Sequence, residues 1–314
     1  MKFRELGNTG TMVSTVCLGS WVFGGDTSWG GADDRESEEV IKEALDLGVN
    51  FIDTAPIYGD GRSEEVIGKA IEGKRGHVVL ATKCGLEKTE KGIRPNLTAA
   101  FIREEIERSL RRLRTDVIDL YQCHWPDPGT APEESFAALE RLKSEGKIKH
   151  IGVSNFSAEL IAAARAVTEI TSDQMQYSLF DRGIEKEVIP FCAESGISIL
   201  SYGSLGGGIL SGKYKEPPKF AKSDARSFLY KFYREPFWSK ARAFVSRLEG
   251  IASARGVPVS QVAMNWVLAC PGVSSCIVGC RKVSQLADNV GSSDWGLSDT
   301  ELDEIRTYVN EVSG

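Results

Sequence analysis

The sequence has only three histidines, and its seven cysteines include no CxxC pair. The two closest cysteines, Cys276 and Cys280, lie four residues apart. His77, His124 and His150 do not have the spacing of zinc ligands. We therefore predict neither a disulfide framework nor a structural metal site.

Long apolar runs and a basic surplus are also missing. No stretch approaches the roughly 18 consecutive apolar residues of a membrane span, and residues 1–5 do not open a signal peptide. The 38 lysines and arginines face 44 acids, a net charge of −6, whereas nucleic-acid binding needs a basic face. We expect a cytoplasmic protein that binds neither membrane nor nucleic acid. The sequence does not predict whether the chain is a monomer or an oligomer.

Apolar strand-like segments alternate with amphipathic helix-like segments along almost the whole chain. The predicted strands are 15–18, 50–53, 78–81, 117–121, 148–153, 173–177, 197–201 and 275–278. Regular βα alternation indicates parallel strands, and eight units in about 300 residues favour a closed (β/α)8 TIM barrel over a doubly wound sheet. No linker interrupts the pattern, so residues 1–314 are predicted to form a single barrel domain.

The remaining segments lie outside the eight units. Phe3 to Ser14 is predicted to form an N-terminal β-hairpin, and extra C-terminal helices are expected near 283–290 and 298–311. Among the barrel helices, Ser63 and Thr98 are the expected N-terminal caps of the second and third.

Polar residues collect where the predicted strands end. In a barrel of this type the chemistry sits at the carboxyl ends of the strands. Those positions hold Asp53, Lys83, His124, Ser154, Asn155, Gln176, Tyr202, Gly203, Ser204 and Gly279.

Three consecutive strand ends suggest a catalytic group. Asp53 and Lys83 end neighbouring strands, so their side chains can meet. An ammonium that is buried beside a carboxylate stays charged. Tyr58 lies five residues after Asp53, and a nearby ammonium lowers the pKa of a phenol from its ordinary value of ~10. His124 closes the next strand and can position a substrate oxygen. Singly, these residues fit a structural ion pair or a satisfied buried histidine equally well.

Five sequence segments carry a resemblance to a known family. They are GVNFIDTAPIYGDGRSEEVIGKAI (residues 48–71), ATKCG, DLYQCHWPD, KIKHIGVSNF and LGGGILSGKY. In these motifs the chain resembles the aldo-keto reductase superfamily, in its bacterial and potassium-channel-β-like branches. The resemblance covers nearly the whole chain.

The resemblance implies NADPH-dependent reduction of an aldehyde or ketone to an alcohol. Its catalytic tetrad falls on Asp53, Tyr58, Lys83 and His124. In that mechanism Tyr58 protonates the developing alkoxide, Lys83 lowers the pKa of Tyr58, Asp53 holds Lys83, and His124 orients the carbonyl.

The cofactor is expected in a site without a Rossmann motif, since no GxGxxG follows the first strand. The glycine-rich residues Gly203, Ser204, Leu205, Gly206 and Gly207 would let backbone amides approach a pyrophosphate, or would form a flexible loop entry. By resemblance, Ser154, Asn155 and Gln176 bind the carboxamide and Tyr202 stacks on the nicotinamide. Ser20, Trp21, Asp53 and Gly279 complete this end of the predicted cofactor site.

The adenosine end is expected at Arg281, Gln285 and Asn289, again by resemblance. An arginine offers a bidentate match to phosphate, which favours NADPH over NADH. Read without the resemblance, Arg281 would be a solvated surface residue.

The segment from Leu210 to Phe237 is long for an unstructured connection, which is typical of a lid. Residues 213–242 hold nine lysines or arginines against three acids. This excess fits either a solvated basic face or a clamp over the pyrophosphate. By resemblance, Lys213 and Arg226 of the clamp would touch cofactor.

Two alternative functions remain open at this level. One is a regulatory subunit that binds NADPH as a redox sensor with little turnover. The other is a lyase or aldolase that uses Lys83 as a Schiff-base nucleophile. Specificity for the carbonyl substrate is expected to lie in residues 22–32, 85–96, 125–131 and 210–237.

Overall fold

Eight parallel strands close into a barrel in the computed structural model, which describes residues 1–25, 29 and 31–313. The barrel strands are β3 (Val16–Gly19), β4 (Phe51–Asp53), β5 (Val79–Cys84), β8 (Ile118–Cys123), β9 (Ile148–Ser154), β10 (Ser172–Gln176), β11 (Ser198–Tyr202) and β12 (Val273–Gly279). Closure occurs where β12 pairs with β3, with Cys276 opposite Val16. The predicted (β/α)8 barrel is confirmed.

Two antiparallel hairpins lie outside the barrel. β1 (Phe3–Glu5) and β2 (Met12–Ser14) form the predicted N-terminal hairpin. A second hairpin, β6 (Leu86–Thr89) with β7 (Gly92–Pro95), follows β5. This hairpin lies within residues 85–96, predicted only as a specificity loop, because four-residue strands with exposed side chains show little apolar alternation.

Helices follow the barrel strands and cover the outside of the barrel. They are α1 (Asp34–Asp46), α2 (Arg62–Ala70), α3 (Ala99–Leu113), α4 (Pro132–Ser144), α5 (Ala158–Arg165), α6 (Val188–Ser195), α7 (Arg226–Leu229), α8 (Phe237–Arg255), α9 (Val259–Leu268), α10 (Val283–Val290) and α11 (Asp299–Ser313). None of the helices in the described ranges is both long and apolar enough to cross a bilayer.

Helix starts agree with the sequence at some positions and not at others. Thr98 caps α3, accepting a hydrogen bond from the Phe101 amide, as predicted. Ser63 was wrongly predicted to cap α2: the cap position is Gly61, and the Ser63 hydroxyl instead bonds Ser20 and Thr54. Gly61 takes a left-handed conformation that no capping serine adopts easily. The long segment 210–237 also contains more structure than expected, namely α7 and a 3-10 turn at Lys231–Tyr233.

The barrel interior has an apolar lower layer. It is formed by Leu6, Val13, Cys17, Phe51, Ala81, Leu120, Leu200 and Ile277. Residues two apart on a strand face the same side, so Asp53, Lys83 and Gln122 stand above Phe51, Ala81 and Leu120. The upper end of the barrel therefore holds polar groups over an apolar base.

A buried carboxyl between β5 and α3 makes stability depend on pH. Glu105 is 4% exposed and accepts a hydrogen bond from the Gly85 amide at 2.8 Å. Burial raises the pKa of Glu105 from its ordinary value of 4.5 to about 8. Between pH 4.5 and about 8 the folded state binds this proton more tightly than the unfolded state does. The contribution of Glu105 to the free energy of unfolding therefore falls as pH rises through that range.

We expect Glu105→Gln to remove this loss. The variant keeps an acceptor for Gly85, so its stability relative to the native chain should increase with pH by up to about 1.4 kcal/mol per pH unit across that window. Urea unfolding at pH 5, 7 and 9 measures the difference. Glu104→Gln, on the exposed face of the same helix, serves as the control. Parallel pH profiles for the native chain and Glu105→Gln would contradict the prediction.

Candidate functional site

Four side chains predicted from three strand ends meet at the upper end of the barrel. Asp53 is the last residue of β4, Lys83 lies near the end of β5, and His124 follows β8 directly. Tyr58 lies on the loop between β4 and α2. The structure thus brings together the four residues that the sequence analysis selected.

Lys83 is at the centre of this group. It is completely buried, and its ammonium donates to Asp53 Oδ2 at 2.6 Å, the Thr54 carbonyl at 2.9 Å and the Tyr58 hydroxyl at 3.3 Å. Burial alone would lower the pKa of Lys83, but attraction to Asp53 and Tyr58 outweighs it and raises the pKa. A charged amine with all three hydrogens engaged is not a nucleophile, so the Schiff-base alternative is not supported.

The second oxygen of Asp53 is also engaged. Asp53 Oδ1 accepts hydrogen bonds from Gln174 Nε2 at 2.8 Å and from Gln122 Nε2 at 3.2 Å. Neither glutamine was predicted as a site residue. Their signal was a polar amide at an inward-facing position of an otherwise apolar strand, in DLYQC and in SDQMQ.

Tyr58 stands between Lys83, Trp21 and His124. Its ring stacks on Trp21 with centroids 5.7 Å apart and meets His124 edge-on at 5.8 Å. Burial raises the pKa of Tyr58 above 10, while Lys83 pulls it down and Asp53 pushes it up. The prediction that Lys83 makes Tyr58 more acidic than a free phenol is therefore wrong here, because burial and the Asp53 charge outweigh the ammonium. The phenol keeps its proton at neutral pH.

His124 is held as a neutral imidazole. Its backbone amide donates to the Cys84 carbonyl at 2.9 Å, and its carbonyl accepts from Asn155 Nδ2 at 3.2 Å. Burial, and then repulsion from Lys83, lower the pKa of His124 well below 6.5. A neutral ring can donate one hydrogen bond without competing with Lys83 for charge.

The loop that carries Tyr58 is positioned through its main chain. A 3-10 turn at Trp21–Gly24 packs its backbone on the Tyr58–Gly59 peptide. A Cβ on Gly24 would stand 2.8 Å from the Gly59 nitrogen, and a Cβ on Gly59 would collide with the Gly24 carbonyl. Two glycines are required at this contact, and they seat Tyr58 beside Trp21.

Asn155 organises the neighbouring strand ends. It has a left-handed backbone (φ 63°), and its amide donates to the His124 carbonyl and to Ser154 Oγ at 3.0 Å. Its Oδ1 accepts from the Tyr202 hydroxyl at 2.8 Å. Gln176 pairs in register with Tyr202 at the ends of β10 and β11. The predicted carboxamide-binding residues Ser154, Asn155 and Gln176 therefore lie beside Tyr202, the residue predicted to stack on the nicotinamide.

Three other residues predicted for the cofactor site, Ser20, Gly279 and Ser204, lie at neighbouring strand ends. Ser20 is completely buried, and its hydroxyl accepts from Ser63 at 2.8 Å. Gly279 ends β12 opposite Gly19. Ser204 is buried and its hydroxyl lies 2.8 Å from that of Ser201. The two serine side chains therefore bond inside the protein.

The glycine-rich turn after β11 has a left-handed backbone at Gly203, Gly206 and Gly207. Leu205 packs partly buried against the core. Gly207 lies against Tyr230, where a Cβ would come within 2.8 Å of the ring, and its carbonyl accepts from Tyr233 at 3.0 Å. Aromatic residues of the following segment therefore fix this turn, which does not support the reading as a flexible loop entry.

A basic cluster lies in the segment after this turn. Arg226 pairs with Asp224 through two hydrogen bonds of 2.9 and 2.6 Å and donates to the Tyr214 hydroxyl at 3.2 Å. Its guanidinium also lies 5.3 Å from the Trp29 ring. Lys213 is exposed and lies over Tyr214. Arg226 thus links the long segment to Trp29, within the predicted specificity loop 22–32; its residues 26–28 and 30 lie outside the described residues.

Arg281 lies beside this cluster at the start of α10. Its amide donates to Gln285 Oε1 at 2.9 Å, whereas its Nη2 is buried and has no hydrogen-bond partner among the described residues. Burial, and then repulsion from Arg226, lower the pKa of Arg281. Asn289 is buried and donates to Cys280 Sγ at 3.2 Å. Arg281 is half-buried, and an anion would satisfy its Nη2 donor.

Comparison with known proteins gives consistent matches over nearly the whole chain. The model of the aldo/keto reductase family matches residues 15–310. The chain is 41% identical to an aldo-keto reductase of Bacillus subtilis, over 99% of this chain and 95% of that protein. It is 34% identical to the NADH-specific methylglyoxal reductase of Escherichia coli, over 99% of both chains. The solved structure of a glycerol dehydrogenase from Gluconobacter oxydans superposes with a TM-score of 0.89 at 38% identity, covering 99% of this chain and 94% of that chain.

Proposed function

The chain belongs to the aldo/keto reductase family of oxidoreductases, and on that premise we propose that it reduces small aldehydes or ketones to alcohols with NADPH. The observation that carries the proposal is the Tyr58 hydroxyl, which lies 3.3 Å from the buried ammonium of Lys83 and edge-on to a neutral His124. This is the arrangement of a proton donor beside a group that stabilises its anion.

Each of the four residues has a distinct part in the proposed reaction. Neutral His124 donates a hydrogen bond to the carbonyl oxygen and fixes its direction. Tyr58 gives its phenolic proton to that oxygen as negative charge develops there. The Lys83 ammonium stabilises the tyrosinate that remains, and Asp53 keeps the ammonium charged and in place. A bound reduced nicotinamide would supply the hydride.

The residues that would hold the dinucleotide form two groups. Asn155, with Ser154, Gln176 and Tyr202, would bind the nicotinamide end, beside Trp21 and His124. The backbone of the glycine-rich turn (203–207), with Arg226 and Lys213, would lie along the pyrophosphate. Arg281, Gln285 and Asn289 would take the adenosine end, and Asp53, Ser20, Ser204 and Gly279 would support the strand ends from within.

NADPH is preferred over NADH in this proposal because of the free hydrogen-bonding capacity of Arg281. Its buried Nη2 donor lacks a partner within the described ranges, and Arg226 repels its charge. A 2′-phosphate would satisfy the donor and balance the charge, whereas the ribose hydroxyl of NADH supplies no charge.

We expect Arg281→Ala to weaken NADPH binding by about tenfold to a hundredfold and NADH binding by less than about threefold, since only NADPH carries the phosphate. Titration of intrinsic tryptophan fluorescence with each dinucleotide measures both dissociation constants. Arg108→Ala, which removes a surface arginine paired with Glu104, is the control. Equal losses for both dinucleotides would contradict the assignment.

The proposed activity is tested by assaying a panel of aldehydes, ketones and sugars with NADPH and NADH. Loss of nicotinamide absorbance with at least one carbonyl supports a reductase. Tight NADPH binding without turnover on the whole panel would favour the redox-sensing regulatory subunit instead.

A further inference from the structure

One polar layer crosses the barrel directly beneath Lys83. Asp53, Gln122 and Gln174 come from the second, fourth and sixth strands of the barrel, β4, β8 and β10. Alternate strands contribute the side chains of one layer in such barrels, and branched apolar residues usually fill it. Here Gln122 is completely buried and Gln174 is 3% exposed. Two buried glutamines in a position suited to apolar residues need a physical reason.

Their hydrogen bonds give that reason. Both side-chain amides donate to Asp53 Oδ1, and Gln174 Nε2 lies 3.3 Å from Gln122 Oε1. The other oxygen, Oδ2, accepts from Lys83. Apolar residues at positions 122 and 174 would leave Asp53 Oδ1 buried without these two amide donors. Amide donors stabilise a carboxylate oxygen more strongly than the carbonyl oxygen of a neutral acid, so they favour the ionised pair over a neutral acid beside a neutral amine.

We propose that Gln122 and Gln174 are positioning residues that keep Asp53 ionised and fixed, and thereby keep Lys83 charged opposite Tyr58. The inference rests on the proposed reductase function for its effect on turnover, but not for its effect on Lys83. The titratable groups facing Asp53 are Lys83 from β5, Tyr58 from the loop after β4 and Cys17 from β3, and His124 faces Lys83 from the end of β8.

Gln174→Met removes one donor and keeps nearly the same length and volume. We expect kcat to fall by about tenfold, with KM for carbonyl and dissociation constant for NADPH changed by less than about threefold. The split is expected because the Gln174 side chain is buried and its hydrogen bonds go to Asp53 and Gln122. An unchanged kcat, or a fall in binding alone, would overturn the proposal.

Gln174→Glu gives a sharper test because it introduces a titratable donor. While protonated, the introduced carboxyl can still donate to Asp53 Oδ1, so activity at low pH should approach that of the native chain. As pH rises, the carboxyl ionises and repels Asp53, and kcat should fall with a new pH dependence that neither the native chain nor Gln174→Met shows. The absence of that new limb would count against the proposal.

Gln261 provides a matched control. It is 7% exposed, donates to the Asp288 carbonyl and accepts from Trp295, away from the four residues. Gln261→Met and Gln261→Glu should lower the thermal midpoint without moving the pH profile. A similar new limb in Gln261→Glu would show that the pH effect is not specific to Asp53.

A direct readout separates failure of this inference from failure of the proposed function. In protein labelled with [ε-¹³C]lysine, the Lys83 signal, assigned by its loss in Lys83→Arg, reports protonation without any substrate. We expect the titration midpoint of Lys83 in Gln174→Met to fall by about one pH unit, which is a tenfold increase in the acid dissociation constant of its ammonium. No shift would overturn the inference even in an active reductase, and the expected shift in a protein that reduces no carbonyl would uphold it while refuting the function.

Discussion

Tyr58→Phe is expected to lower kcat by about a thousandfold while leaving the dissociation constant for NADPH within about twofold. The substitution removes the hydroxyl that lies 3.3 Å from Lys83 and leaves the ring stacked on Trp21. General acid catalysis is lost, whereas the surfaces proposed to bind the dinucleotide are untouched. Steady-state kinetics on the best carbonyl from the panel, with fluorescence titration of NADPH, measures both quantities.

A second tyrosine tests whether losing a buried phenol oxygen matters in itself. Tyr121 on β8 is completely buried, and its hydroxyl lies beside Cys84 rather than beside Lys83 or Asp53. Tyr121→Phe should therefore leave kcat within about twofold of the native value. Equal turnover in Tyr58→Phe and the native chain would refute the role of Tyr58 as proton donor.

Lys83→Met is expected to abolish measurable reduction and to destabilise the fold by about 3–5 kcal/mol near neutral pH. The replacement fills similar volume but leaves Asp53 as a buried carboxylate without its cation. Urea unfolding of the variant and the native chain near neutral pH measures the stability difference, and the carbonyl assay measures turnover.

The matched control is Lys149→Met. Lys149 pairs with Asp119 at 2.6 Å, but its side chain is 56% exposed, so the pair is screened by water. We expect a loss below about 1 kcal/mol and unchanged kinetics. If Lys83→Met cost no more stability than Lys149→Met, the ion pair with Asp53 would have no structural importance.

The site residues at the strand ends were predictable from the sequence, because the carboxyl ends of parallel strands all lie at the same end of a barrel. Asp53, Lys83 and His124 each follow a short apolar run, and the barrel closure brings those runs together. The adjoining hairpin β6–β7 was not predicted, since its strands are short and mostly solvent-exposed. Helix α7 was missed for a related reason: four residues show no helical period.

The electrostatics of the site depend on burial that a sequence does not contain. Adjacency to Lys83 led to the expectation of an acidic phenol, yet the depth of Tyr58 and the charge of Asp53 decide its pKa. Gln122 and Gln174 were missed because a glutamine inside a strand has no motif, and only the barrel layer shows that both reach one carboxylate oxygen. Asp224, which pairs with Arg226, was counted only as an acid within a basic segment.

The contact between Gly24 and Gly59 separates the placement of the proton donor from the selection of substrate. Main-chain packing places the loop that carries the phenol, whose ring then contacts Trp21, Lys83 and His124, while exposed side chains such as Trp125 and Ile93 surround the barrel mouth. Mutations in that outer ring can alter which molecules enter without disturbing delivery of the proton. A side chain at Gly24 or Gly59, by contrast, would displace the Tyr58 loop and with it the proton donor.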